Sequence, residues 1–329
     1  MKACYKTRLG FTVCGDSRDL LAGLEDDSVN LVITSPPFAL QRQKEYGNVD
    51  QSDYVDWLTG FARLVHKKLR KDGSFVVDLG GSYMKGTPAR SLYNFRTLIR
   101  FCDDVGFFLA EDFYWFNPSK LPSPIEWVNK RKMRAKDSVN TVWWLSKTEW
   151  PKADISKVLA PYSDRMKKLL SDPGSFYKPK VRPSGHDIGV GFAKDNGGSI
   201  PSNLLQISNS ESNGKYTKWC KVAGTEMHPA RFPEAFPEFF IRMLTEPGDL
   251  VVDIFAGSNT TGCVSERLGR HWRSFEERLD YIAASVFRLL PADMADGQVK
   301  EVYRRILNGE SVQLSDYVRQ QSFLAAASE

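Results

Sequence analysis

"DLVVDIFAGSNTTGCVSERLG", residues 249–269, decides the fold. Residues 250–255 are apolar but for one aspartate and have the length of a buried strand. Residues 260–269 then read as a helix closed by Gly269. A buried strand running through a turn of small residues into a helix is the unit from which α/β sheets are built. The turn lies at the strand's carboxyl end, where such sheets bind cofactors. Gly257 lets a ligand approach the backbone. Ser258, Asn259 and Thr260 present amides and hydroxyls at a helix N-terminus, which suits a carboxylate or phosphate.

The turn narrows the choice of cofactor. Gly257 and Gly262 have P-loop spacing, but Cys263 and Val264 stand where Lys and Ser/Thr are needed, so no lysine reaches a phosphate. The dinucleotide pattern GxGxxG is absent. Glu276 follows Gly257 by 19 residues, where an acid grips a ribose diol. A nucleoside-bearing ligand without a required pyrophosphate fits this set, and S-adenosylmethionine is the expected cofactor. A plain helix-capping turn has the same composition. Asp16, at the end of "FTVCGD", is a second candidate, for an adenine amine or a ribose.

The same grammar extends outward. "NLVIT", "SFVVDLGG", "FFLAEDFYWF", "NTVWWLS" and "WRSFE" read as strands. Residues 54–69, 91–106, 232–245 and 279–290 read as helices. The alternation predicts an α/β fold, a mostly parallel doubly wound sheet covered on both faces. Residues 151–222 break it with Pro/Gly/Ser/Asn-rich loops, in which only 154–170 looks helical. We therefore expect a catalytic half at 1–150, an inserted recognition region at 151–222, a cofactor-binding half at 223–312 and a tail at 313–329.

Composition sets the outer bounds. Of 329 residues, 42% are hydrophobic, enough for a large core. No apolar run is long enough for a membrane helix, and the first residues lack a secretory segment, so a cytoplasmic protein is expected. Cys4, Cys14, Cys102, Cys220 and Cys263 are scattered, as are the four histidines, which argues against disulfides and a metal centre. The net charge is +5, yet residues 151–222 hold twelve Lys/Arg against six Asp/Glu, leaving −1 elsewhere. A basic segment on a near-neutral body points to an anionic polymer; a solvated lysine-rich surface has the same charge.

"TSPPF", residues 34–38, ends the second apolar run. Pro36 and Pro37 carry carbonyls but no N–H. Such a loop offers acceptors with few competing donors. With the Ser35 hydroxyl and the Pro36 carbonyl accepting its two hydrogens, a nucleobase amine turns its lone pair toward an incoming methyl group. Phe38 supplies a face on which an extruded base stacks. A simple strand break with a core phenylalanine is the alternative.

"TSPPF" together with "DIFAGSNTTG" resembles the catalytic and cofactor motifs of amino-group DNA methyltransferases, in the circularly permuted order of the β class. The resemblance extends through "TSPPFALQRQKEYGN", "DGSFVVDLGGSYMKG", "EDFYWFNPSKLPSPIEWVNKRK" and "SNLLQISNSESNG", over nearly the whole chain. It implies an S-adenosylmethionine-dependent methyltransferase fold and N4-cytosine methylation, with adenine-N6 left open. It assigns Ser35, Pro36, Pro37 and Phe38 to catalysis, with Asp78 as a carboxylate near the target amine. It assigns Asp16, His228, Pro229, Phe232, Asp253, Phe255, Gly257, Ser258, Asn259, Thr260 and Glu276 to the cofactor. Ala256 stands where a glycine is common. The resemblance also implies CAGCTG as target, methylated on the inner cytosine, and a nuclease sharing that site without a stable complex.

Five basic residues in "NKRKMRAK" (129–136), among them Lys130, Arg131 and Lys132, and Arg165, Lys178, Lys180 and Arg182 in the insert, are candidates for phosphate contacts. No cysteine follows a proline, which sets aside a covalent cytosine-C5 mechanism. A DNA-binding module without catalysis and a protein-amide methyltransferase are the rival classes.

Overall fold

In the computed structural model, which describes residues 1–39, 51–176, 183, 194–209 and 214–317, the alternating runs form one large sheet. Its strands are β1 (Tyr5–Lys6), β2 (Gly10–Cys14), β3 (Val29–Thr34), β4 (Leu69–Leu79), β5 (Phe108–Phe116), β6 (Val139–Ser146), β7 (Leu204–Gln206), β8 (Leu250–Asp253), β9 (His271–Glu276) and β10 (Val312–Gln313). They lie in the order β10-β1-β2-β9-β8-β3-β4-β6-β5-β7. The central five, β2 to β4 in that order, are all parallel; β6 turns antiparallel against both β4 and β5.

The decisive pairing is β3 with β8. Leu31 lies opposite Val251 and Val32 opposite Val252. The two strands are some 220 residues apart in sequence, yet they are parallel neighbours. The serine-proline turn and the glycine turn therefore leave the same end of adjacent strands.

Both strands are buried on both faces, as strands inside a doubly wound sheet must be. On one face, helix α2 (Gln51–Lys68) presents Tyr54, Leu58, Phe61, Ala62 and Val65 to Val32, Phe75 and Val77, together with Leu21 of α1 (Ser17–Ala22) and Tyr93 of α3 (Tyr93–Arg100). On the other, α7 (Ala235–Leu244) packs over β3 and against α8 (Thr260–Arg267); its Phe236 and Phe240 meet Trp115 and Phe113 of β5. A second core joins α6 (Lys215–Ala223), α9 (Leu279–Ser285) and α10 (Asp296–Leu307) around Trp219, Trp272 and Phe287.

The chain divides into two compact units, one formed by Met1–Ala153 and the chain from Asn203 on, the other by Asp154–Ser202. Residues 203–209 and 214–222, expected from their composition to belong with the insert, pack in the larger unit: β7 pairs with β5, and α6 carries the buried Trp219. The expected helix 154–170 is broken. A 3-10 turn spans Ile155–Val158 and α4 spans Asp164–Ser171, capped by Ser163. Pro161 disfavours the helical conformation at Ala160, which instead pairs with Ser199. A short α5 (Pro173–Phe176) follows. No helix among the described residues is long and apolar enough to cross a membrane.

Candidate active site

β3 ends at Thr34, and the next residue begins the site. Ser35 Oγ donates to Asp78 Oδ2 at 3.0 Å. Asp78 sits near the end of β4 with 2% of its surface exposed. Asn140, at the start of β6, donates Nδ2 to Asp78 Oδ1 at 3.1 Å. Burial pushes the Asp78 carboxyl up to about 6, against the lowering pull of the Ser35 and Asn140 hydrogen bonds and the Lys120 charge. It is thus ionised at neutral pH but still basic enough to take a proton. The Phe38 ring lies directly over Gly80: a Cβ there would come within 2.5 Å of it, so Gly80 must remain a glycine for the ring to keep its place. The Tyr93 hydroxyl donates to the Gly80 carbonyl and holds that backbone.

The facing wall is built on β8. Asp253, fully enclosed, accepts from Thr34 Oγ1 and Thr261 Oγ1, both at 2.7 Å, and from the Phe255 amide at 3.1 Å. Thr34 directly precedes Ser35, and Thr261 is in the first turn of α8. One carboxylate therefore ties the end of β3 to the first turn of α8. Gly257 adopts φ +48. A Cβ there would stand 3.0 Å from the His228 ring. The Gly257 amide donates to Glu276 Oε2 at 2.9 Å, and the Arg278 amide to Oε1 at 3.0 Å. Burial raises the Glu276 carboxyl despite these bonds. Phe255 packs on Trp57 and Phe61, with ring centroids 5.6 and 5.0 Å away. His228 meets Tyr281 edge-on at 4.4 Å, and its Nδ1 lies 2.6 Å from the Ala230 carbonyl.

Both walls line one cavity of about 600 Å³, well within the size of small-molecule sites. Ser35, Pro36, Pro37, Phe38 and Asp78 lie on one side; His228, Pro229, Phe232, Phe255, Gly257, Ser258, Thr260 and Glu276 lie on the other. Three residues assigned to the cofactor are not on its lining. Asp16 caps α1, accepting from the Arg18 amide at 2.8 Å, and pairs with the Arg18 guanidinium. Asp253 is the internal brace just described. Asn259, in the left-handed region at φ +54, points inward: its Oδ1 caps the Gly262 amide and accepts from Ser274, and its Nδ2 donates to Tyr5.

The candidate DNA contacts fall in several places. Lys130 and Arg131 pair with Glu126 at 3.3 and 2.9 Å, and Arg131 also covers the Trp127 ring. Lys132 is exposed at φ +52. Arg165 is exposed on α4 of the smaller unit. Lys178, Lys180 and Arg182 lie outside the described residues. Among the lining residues not singled out from the sequence are Asn140 and, within stretches quoted above for the resemblance, Asn117, Lys120 and Asn209. Polar residues beside a strand are common, and only the sheet order brings β6 alongside β4 to pair Asn140 with Asp78. Among the described residues, no cluster of three or more His, Cys, Asp or Glu has the arrangement of a metal site.

Residues 29–287 match the DNA methylase family that unites the N6 and N4 methyltransferases. The chain belongs to this family. Among individual DNA methylases, the type II methyltransferase M.PvuII of Proteus hauseri is 68% identical over 317 residues, 96% of this chain and 94% of that protein. The solved structure of the PvuII DNA methyltransferase (cytosine-N4-specific) matches at 59% identity with a TM-score of 0.79, covering 95% of this chain and 98% of that one. The M1.HpyAVI–SAM complex, at 18% identity and a TM-score of 0.50 over 85% of this chain and 99% of that one, shares the fold. The mostly parallel methyltransferase sheet read from the sequence is the one this DNA methylase has.

Proposed function

We propose that this chain is a site-specific DNA methyltransferase that moves a methyl group from S-adenosylmethionine to the exocyclic N4 of a cytosine turned out of duplex DNA. One observation carries the reading: the Ser35–Asp78 pair and the Gly257–Glu276 turn face each other across one cavity. Similarity to M.PvuII over nearly the whole of both chains supports cytosine-N4 as the target. By the same resemblance the site is CAGCTG, the cellular setting is cytoplasmic, and the protein is the modification half of a restriction–modification pair.

The residues of the second wall fit the cofactor. The Gly257 backbone, open to the cavity with no room for a side chain beside His228, allows close approach. Glu276 is placed for the ribose hydroxyls, and Ser258 and Thr260 at the start of α8 for the methionine carboxylate. When bound, S-adenosylmethionine supplies an electrophilic methyl carbon. The chain's own groups act on the base. Pro36 and Pro37 add no donors to the pocket, so the amine N–H groups meet acceptors. Ser35, whose hydroxyl donates a hydrogen bond to Asp78, turns a lone pair toward the amine. An amine that gains a methyl must lose a proton. Ser35 takes it and passes its own to Asp78 Oδ2, 3.0 Å away, while Asn140 holds the carboxylate in line. Phe38, seated on Gly80, offers a stacking face.

The test is transfer of a tritiated methyl group into a CAGCTG duplex, followed by digestion to nucleosides. N4-methylcytosine is expected. N6-methyladenine would replace the target base, and transfer to protein but not DNA would overturn the reading.

A further inference from the structure

The loop joining β5 to β6 carries a side chain that the chemistry above leaves unused. Leu121 is 81% exposed; among the described large hydrophobic residues only Trp150, at 84%, exceeds it. Single exposed leucines are ordinary on surfaces, but the mounting of this one is not. Its neighbour Lys120 lines the catalytic cavity, as do Asn117 and Ser138 at the two roots of the loop. The backbone beneath it is held from several directions. Lys136 Nζ donates to the carbonyls of Pro118 and Lys120 at 3.3 and 3.2 Å. Ser119 Oγ lies 2.6 Å from Ser208 Oγ, and the Ser119 amide donates to Asn117 Oδ1 at 3.1 Å. The Asn117 amide donates to Ser138 O at 3.0 Å. Pro118, Pro122 and Pro124 stiffen the rest. The same loop bears the cations Lys120, Lys130, Arg131, Lys132, Arg134 and Lys136.

A rigid apolar tip among cations, one residue from a pocket that needs an unstacked base, has one occupant that suits all three features. We propose that Leu121 is a wedge that enters the duplex beside the target cytosine, fills the space the base vacates and so holds it in the cavity. Apolar side chains pushed between base steps unstack them, and flanking cations hold the phosphates while they do so. Leu121 is thus a positioning residue. The inference rests on the reading of the chain as a base-extruding methyltransferase.

The experiment compares single-turnover methylation by the full chain, Leu121→Ala and Leu121→Met. Two CAGCTG duplexes are used, one fully paired and one with the target cytosine opposite an abasic site. The second base is already unpaired and needs little help to leave the stack. Extrusion of a paired base costs a few kcal/mol, so Leu121→Ala should slow transfer to the paired duplex by roughly tenfold to a hundredfold. On the abasic duplex all three proteins should agree within about threefold, and Leu121→Met should keep the wild-type rate on both. An alanine variant as fast as wild type on the paired duplex overturns the proposal. So does an equal loss on both duplexes, which marks a structural or phosphate-side effect. Wild-type transfer to the abasic duplex leaves the methyltransferase reading standing in either case; no transfer by wild type to either duplex overturns both.

Discussion

Asp78→Asn tests the base end of the mechanism, and its consequences for stability and for rate have different signs. The carboxyl is raised from its ordinary 3.8 to about 6 by burial. At about 1.4 kcal/mol per unit, the ionised form costs the folded state about 3 kcal/mol. Between the two values the folded protein binds a proton that the unfolded chain has released. Wild-type stability therefore falls as pH rises through about 4 to 6 and is level above. Asparagine does not titrate. Relative to wild type, the variant should gain about 2 to 3 kcal/mol of stability between pH 4 and pH 8. His228 works in the opposite direction: burial lowers it to about 4, so stability is lost as pH falls from 6.5 toward that value. Both proteins share His228, and its contribution cancels in the difference. Urea denaturation at the two pH values reads the quantity directly. The rate should move the other way. Wild-type single-turnover methylation should rise with pH through about 6 and then level as Asp78 ionises. Asp78→Asn should fall by about 10² to 10⁴ and lose that rise, as expected when a general base is removed. A variant that methylates at the wild-type rate at pH 8, or a wild-type profile flat from pH 5 to pH 7.5, would refute the reasoning.

Two further substitutions probe the other wall. Asp253→Asn replaces an acceptor for three donors by one with a single carbonyl oxygen, so one threonine hydroxyl loses its acceptor and faces an amide NH2 instead. It should destabilise by about 1–3 kcal/mol and lower both cofactor affinity and rate, read by denaturation and calorimetric titration. Gly257→Ala places a Cβ at φ +48 and 3.0 Å from His228. It should cost about 1–2 kcal/mol of stability and weaken S-adenosylmethionine binding about tenfold or more in the same titration.

The sequence made the local units plain, because each is continuous. A buried strand, a glycine turn and a helix at 249–269 are one stretch of chain, and so is the proline pair after β3. What it could not convey is the adjacency of β3 and β8, which depends on how the 215 intervening residues (35–249) fold. The partners that these side chains take were hidden for the same reason. Asp253 and Asn259 sit in the turn expected to touch the cofactor, but Thr34, Tyr5 and Ser274, each distant in sequence, draw their polar atoms inward. Asp16 carries the signature of a helix cap as clearly as that of a ligand, and in the structure it caps α1. Asn140 became legible only when β6 was seen beside β4.

The central claim is that the hydroxyl after β3 acts directly on an amine delivered to the cavity it shares with the glycine turn. Single-turnover methylation by Ser35→Ala, at saturating S-adenosylmethionine and CAGCTG duplex, tests it most directly. The account predicts that both ligands still bind while N4-methylcytosine formation drops by about 10² or more. Formation of the same product at the wild-type rate would contradict it.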